Sequence, residues 1–362
     1  MAIISQFTAV PTRFVNDIFI KNLSFHSKGL DSICESDVLF QNTPLATYET
    51  ALFYSVNRGA KISRLCGGFD VNLLSDCMTR SCILEVKNSY DAIVLGRYVE
   101  NNIVLFQEDV VSKVSRFAKI DSIKCNVVGN LVYIRFAFET GNASGHNMST
   151  ICSDRICDYL MNRFENVKYV SVSGNFCTDK KVSYVNSILG GRGKNVIAEC
   201  LISREICEKF LRTTPEKMVD LNVKKNLIGS IISGSVASAN AHFANMLLAF
   251  YIATGQDGAN VVEGSQGLTV VEVRGDDVYF SVNLPNIIVG VIGNGKSNND
   301  FVVSRFDGMG ISINDVNASK RLACVAASVV LCGELSLMAA LTNQNELSNS
   351  HVKIERFKRG DC

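Results

Sequence analysis

The succession of patterns between residues 81 and 173 constrains this chain more than any other feature. Cys82–Val86 is a short β-favouring run, and a mixed, mostly helical stretch follows to about Lys119. Ile120–Cys125 and Leu131–Phe138 read as two strands around Val128-Gly-Asn-Leu131, a turn signal. Met148, Cys152, Ile156 and Leu160 recur every four residues and lay an apolar stripe along a helix, and Val167–Val172 closes with another β-branched run. The order is β-α-β-β-α-β, the ferredoxin-like arrangement. It predicts an α+β chain in which residues 81–172 form a small inserted domain and residues 1–80 with 173–362 form a larger, discontinuous one.

Outside the insert the pattern is more helical. Gly229–Thr254, dense in small residues over its first half, predicts a buried central helix ending at Gly255, which suits a helix C-cap. Leu268–Val273 and Val278–Val282 predict a hairpin through Gly275-Asp-Asp277, and Asn317–Leu341 a long final helix before a polar, mobile tail. The total of 362 residues suits two domains. With 36 Lys+Arg against 35 Asp+Glu, 20% charged and 47% hydrophobic residues, the chain is neither a disordered segment nor a nucleic-acid clamp nor a polybasic membrane anchor.

Met1–Phe14 has no apolar leader core, and Met246–Ala253 and Leu322–Gly333 fall short of the ~20 residues a bilayer needs. The expectation is a soluble cytosolic protein. Thirteen cysteines are scattered without a Cys-x-x-Cys pair or zinc-ligand spacing, so no metal site is expected and the thiols read as packing residues in a reducing compartment.

Neither a Walker sequence nor Gly-x-Gly-x-x-Gly is present, and Gly290-Val-Ile-Gly-Asn-Gly295 is only a loose glycine cluster. Gly141-Asn-Ala-Ser-Gly-His-Asn147 joins a strand to a helix, where free N–H groups can meet phosphate oxygens or merely form a turn. Ser173-Gly-Asn-Phe-Cys-Thr-Asp-Lys-Lys181 carries an acid and two lysines, suited to stabilising a developing oxyanion or to a solvated loop. His242 and Asn245 stand three apart on one helix face, as functional groups or as satisfied core groups. Gly255-Gln-Asp257 and Ser350-His351 are similar candidates.

These segments, with Ala46-Thr-Tyr-Glu-Thr50, Asn57-Arg-Gly59, Asp76-Cys-Met-Thr-Arg80, Ser115-Arg-Phe-Ala118, Gly191-Arg-Gly-Lys194, Lys225-Asn-Leu-Ile-Gly229 and Gly333–Ala340, follow one another as in a known family. From Leu45 to His351 the chain resembles the 3-hydroxy-3-methylglutaryl-CoA reductases, and Val261-Val-Glu-Gly-Ser265 is most similar to the archaeal-type members of the class with eukaryotic relatives. The resemblance implies reduction of 3-hydroxy-3-methylglutaryl-CoA to mevalonate and free CoA by two NADPH, through a thiohemiacetal and an aldehyde. It implies that Lys180 stabilises the oxyanion, Glu49 donates a proton to the aldehyde, Asp257 tunes both and His351 protonates the CoA thiolate. Arg80, Ser173, Asp179, Lys181, Lys225, His242 and Asn245 would hold the hydroxymethylglutaryl group. Ser115, Arg116, Gly145 and Asn147 would hold the dinucleotide on the insert, with the Ser-Arg pair favouring NADPH over NADH. A homodimer or larger homo-oligomer with the site across the interface is also implied.

The chain departs from the family at Ile20–Ser27, at Tyr48 and Thr50 beside Glu49, at Asn142 where an Asp is usual, and at Lys296, which follows Gly293-Asn-Gly295 where Gly-Gly-Gly-Thr is usual. Two further readings follow: a reductase of another acyl thioester, and a catalytically inactive binding protein. Cys177, in the loop of Lys180, is expected to be a reagent-accessible thiol at the site.

Overall fold

One long strand organises the computed structural model, which describes residues 10–26, 33–293 and 295–356. Most of the N-terminal stretch read for a leader, together with Ser27 and Cys362, lies outside them. The strands are β1 (Thr12–Val15), β2 (Ile18–Phe25), β3 (Ile33–Phe40), β4 (Thr43–Ala46), β5 (Phe69–Glu85), β6 (Lys119–Val128), β7 (Leu131–Glu139), β8 (Lys168–Ser171), β9 (Arg192–Ile202), β10 (Ser238–Ala239), β11 (Gly267–Arg274) and β12 (Asp277–Ile287). β5 is 17 residues long and serves two sets of partners. Its first half pairs with β9 and, in parallel, with β2; its second half pairs antiparallel with β7 and β8. The sheet runs β10-β11-β12-β9-β5-β2-β3, with β6 joined through β7.

The main helices are α1 (Thr50–Leu65), α2 (Ser89–Asn101), α3 (His146–Arg163), α4 (Phe243–Ala253), α5 (Ala318–Leu341) and α6 (Glu346–His351). The β-α-β-β-α-β order is present as β5, α2, β6, β7, α3 and β8, and its strands lie in the order β8-β5-β7-β6, all antiparallel. Residues from Cys82 to Leu160 form one buried apolar cluster; Val15 to Leu73 and Val196 to Ala339 form another. The division expected between residues 80 and 81 falls inside β5, because a continuous strand needs no linker to pass from one core to the other.

The remainder is less helical than its pattern suggested, since seven strands of the sheet run through it. The central helix is also elsewhere. Gly229–Thr254 is broken: a helical turn ends at Gly234, in the left-handed conformation at φ 70°, β10 follows, and α4 begins at Phe243. The buried helix is α5, with 20 of its 24 residues buried, as expected of a helix apolar on every side. It is long and apolar enough to span a bilayer, yet 94% of its most apolar window is buried in the protein. Its buried Glu334 carboxylate accepts from Ala241 N–H at 2.6 Å, His242 N–H at 3.1 Å and the Thr269 hydroxyl at 2.8 Å, tying α5 to the start of α4. The tail read as mobile contains α6 and a π-helical turn, Val352–Arg356.

The hairpin of β11 and β12 and the helix stop at Gly255 (φ 67°) agree with the sequence. α1 lies on α5 so closely that a Cβ on Gly59 would sit 2.2 Å from the Cys332 carbonyl oxygen. Gly59→Ala should therefore destabilise the fold by about 1–3 kcal/mol, the cost of overpacking a filled core. Urea unfolding would show a lower midpoint at unchanged slope, whereas an unchanged midpoint would refute this packing.

Candidate active site

The loop after β8 is held in a costly conformation. Asn175, Thr178 and Lys180 all have positive φ (61°, 48° and 54°), at about 1–2 kcal/mol for each non-glycine residue. Several bonds hold it there. Asn186 donates to the Cys177 carbonyl at 3.1 Å, and the Lys180 N–H donates to Glu263 Oε1 at 3.0 Å. Beneath the loop lies Arg192, the first residue of β9 and completely buried. Its guanidinium pairs with Asp179, contacts Glu263 at 3.4 Å, and donates to the Thr79 carbonyl at 3.0 Å. Asp179 also meets Arg80 at 3.5 Å. Burial raises the Glu263 carboxyl above its usual range, against the Lys180 N–H and the Arg192 charge.

Across from this loop, Gly255 turns the chain at the end of α4. Gln256 accepts from the Gly290 N–H at 3.0 Å, and Asp257 accepts from the Ala259 N–H at 3.0 Å. The other Asp257 oxygen meets Lys180 Nζ at 2.8 Å. This bond raises the lysine above its ordinary value against the opposing effect of burial. At Asp257 burial acts upward, but the Lys180 bond, the Ala259 N–H and the lysine charge together leave the carboxyl below its ordinary value. The pair is thus an ammonium and a carboxylate at neutral pH, able to steady a developing oxyanion and to exchange a proton beside it.

A polar cavity of about 440 Å³ joins these groups to the start of α3, with Arg80, His146, Asn147, Asp179, Lys180, Asp257 and Lys296 among its walls. The N–H groups of His146, Asn147 and Met148 precede the first helical bond, Ser149 N–H to the Gly145 carbonyl at 2.9 Å. The His146 Nε2 atom is buried without a partner among the described residues. Donors at a helix start and lysines lining the same cavity fit a phosphate-bearing dinucleotide.

Lys180, Asp257, Asp179, Arg80 and Asn147 thus come together, with Gly145 just before Asn147. Other expected residues stand apart. Glu49, at the start of α1, lines a second cleft with Asn245, and its carboxylate caps no N–H. His351 lines a third with Arg58 and Ser336. His242 Nε2 meets the Gly333 carbonyl at 3.1 Å, and Lys225 lies in the π-helical segment Asn222–Ile228. Ser173 is exposed, and the Lys181 ammonium donates to the Asp179 carbonyl at 3.0 Å. The Ser115 hydroxyl accepts from the Phe117 and Ala118 N–H groups, while the exposed Arg116 lies over the Phe117 ring. Cys177 is fully buried, so the expectation of a reagent-accessible thiol fails: the loop folds that side chain inward. Arg192, Glu263, His146 and Lys296 were not singled out as site residues. The available signals were two basic residues opening an apolar run at Gly191-Arg-Gly-Lys194 and a lysine in a glycine cluster.

Fold and cleft together define a mixed α+β protein with a lysine–carboxylate pair in a polar cavity. The chain belongs to the hydroxymethylglutaryl-coenzyme A reductase family, whose model matches residues 37–356. It is 43% identical over 321 residues to the 3-hydroxy-3-methylglutaryl-coenzyme A reductase of Pyrococcus horikoshii, covering 86% of this chain and 76% of that one. It is 44% identical over 317 residues to that of Aeropyrum pernix (86% and 74%) and 39% identical over 322 residues to reductase 2 of Arabidopsis thaliana (88% and 57%). A solved class II reductase from Streptococcus pneumoniae, bound to NADPH in open conformations, shares the fold with a TM-score of 0.69 at 14% identity, over 92% of this chain and 85% of that one.

Burial, reinforced by the Arg192 charge, lowers the His146 imidazole from 6.5 to about 4. The unfolded chain takes up this proton near pH 6.5 and the folded chain only near pH 4, so stability is full above 6.5 and falls between those values. His146→Gln should make the melting temperature fall less steeply over that interval. An identical slope would contradict the burial of a neutral imidazole.

Proposed function

We propose that the chain reduces 3-hydroxy-3-methylglutaryl-CoA to mevalonate and free CoA with NADPH. The observation that carries this reading is the 2.8 Å Lys180–Asp257 pair in a cleft that also contains the start of α3. NADPH supplies hydride when bound. Lys180, charged and fixed by the hydrogen bond its backbone N–H donates to Glu263, stabilises the oxyanion formed at the thioester carbonyl and again at the aldehyde. Asp257 orients that ammonium. Glu49 gives a proton to the reduced carbonyl and His351 gives one to the departing thiolate. Arg80, Ser173, Asp179, Lys181, Lys225, His242 and Asn245 hold the hydroxymethylglutaryl group. The β5-α2-β6-β7-α3-β8 unit, ferredoxin-like in strand order, holds the dinucleotide through Gly145 and Asn147, with Ser115 and Arg116 on its 2′-phosphate.

The reaction needs a second copy of the chain. Glu49 with Asn245, and His351, line clefts that share no lining residue with the Lys180 cavity, and a neighbouring protomer would supply them. Near the Lys180 loop, Val182, Tyr184, Ile188, Ile231 and Ile232 are exposed, the last two by 77% and 82%, and such a patch suits burial against another protomer. A reducing cytosol suits the scattered cysteines, none of which falls in a Cys-x-x-Cys pair.

Following NADPH oxidation against CoA release should give two NADPH per CoA, with Lys180→Ala slower by about 10²–10³-fold, the usual loss for an oxyanion-stabilising donor. Turnover of a different thioester alone would overturn the substrate, and binding without turnover of any would overturn the activity.

A further inference from the structure

We propose that Lys296 binds the diphosphate of the dinucleotide cofactor, acting with the free N–H groups at the start of α3; this rests on the reading that the cleft takes NADPH. The residue departs from the family's usual threonine, and its setting differs from that of the other buried cations. Arg192 and Lys194 are each matched by carboxylates, Lys194 by Asp76 at 2.9 Å, and the buried Arg135 donates to Asn186 Oδ1 at 3.0 Å and to the Gly190 carbonyl. Lys296 is only 8% exposed, yet among the described residues its ammonium has no hydrogen-bond acceptor or ion-pair partner. Burying an ammonium unmatched is costly, so an unmatched one at a cavity wall points to an anionic ligand.

The backbone sets where that ligand sits. Ala143 and Ile292 form a parallel bridge, and the Val291 N–H donates to the Asn142 carbonyl at 2.9 Å, docking the Gly290–Ile292 segment on the loop that enters α3. The Asn142 side chain fixes the same loop to α5, donating to the Asp315 carbonyl at 2.7 Å and accepting from the Ser319 N–H at 3.0 Å. An aspartate there could not do both when ionised. Lys296 lines the same cavity as His146 and Asn147, whose N–H groups precede the first helical bond. Two independent donors of positive potential meet there, as an anion with several oxygens requires. Burial also pushes the Lys296 ammonium below its ordinary value, with the Asp257 charge opposing, and a bound anion would restore it.

Two other anions are less well matched. The oxyanion of the acyl substrate has Lys180, already beside Asp257. The 2′-phosphate has Ser115 and Arg116, which do not line this cavity.

The test uses the full chain and the nucleotides themselves. NADPH and NADH are titrated separately by their fluorescence against wild type, Lys296→Thr, Lys296→Arg and Arg116→Ala. Because both nucleotides carry the diphosphate, Lys296→Thr should weaken both by about tenfold, the loss of one charge-assisted contact. Lys296→Arg should stay within about threefold of wild type for both. Arg116→Ala should weaken NADPH alone. Inorganic diphosphate should displace NADPH from wild type and do so about tenfold less effectively from Lys296→Thr. Without nucleotide, Lys296→Thr should melt at or above the wild-type temperature, because it removes an unmatched buried charge; a lower melting temperature would mark a structural role. Unchanged affinity for both nucleotides, or loss for NADPH only, would overturn the assignment to the diphosphate. A wild-type chain that binds neither nucleotide would instead overturn the cofactor reading on which it rests.

Discussion

The site depends on one buried guanidinium. Arg192 opens β9 at the point where β5 leaves its first set of partners, and its fully buried head is matched by Asp179, Glu263 and the Thr79 carbonyl. Breaking such a network by removing one member typically costs about 3–5 kcal/mol, because the remaining charges are stranded out of water. The same groups hold the Lys180 loop in left-handed backbone positions it would not adopt by itself. Strain in the loop and ion pairing beneath it are thus two sides of one device, which aims Lys180 at Asp257.

The fold was legible where pattern and burial agree. The β-α-β-β-α-β order, the β11–β12 hairpin and α5 are long, periodic segments whose apolar faces meet a single core. Misreadings arose where tertiary contacts decide. The pattern of Gly229–Thr254 predicts one helix, but Gly234 stops one and the Glu334 carboxylate anchors the start of the next, a contact 92 residues from His242 that no local pattern reveals. The strands of the larger core were under-read for a related reason: β9 begins with Arg192-Gly-Lys194, polar residues that are buried because carboxylates from distant segments match them.

The site divides in the same way. Motif resemblance identified Lys180, Asp257, Asp179, Arg80 and Asn147, which share one cleft. It did not single out Glu263, which holds the Lys180 peptide, or His146 and Lys296, because their importance lies in what surrounds them. It also implied a reagent-accessible Cys177, and the inward fold of the loop corrects that. Glu49 and His351 were identified by motif yet lie in other clefts, so a linear sequence names them without saying how they reach Lys180.

We propose that a working site combines the Lys180–Asp257 cleft of one chain with Glu49 of another. Two differently tagged variants, Lys180→Ala and Glu49→Gln, co-expressed and purified through both tags, test it through NADPH oxidation. Each variant alone lacks one member at every site, whereas a two-fold hybrid pairs an intact Lys180 with an intact Glu49 at one of its two sites. The hybrids should recover about half of the wild-type rate per dimer. Hybrids as inactive as either parent would show that a single chain builds the whole site, and would contradict it.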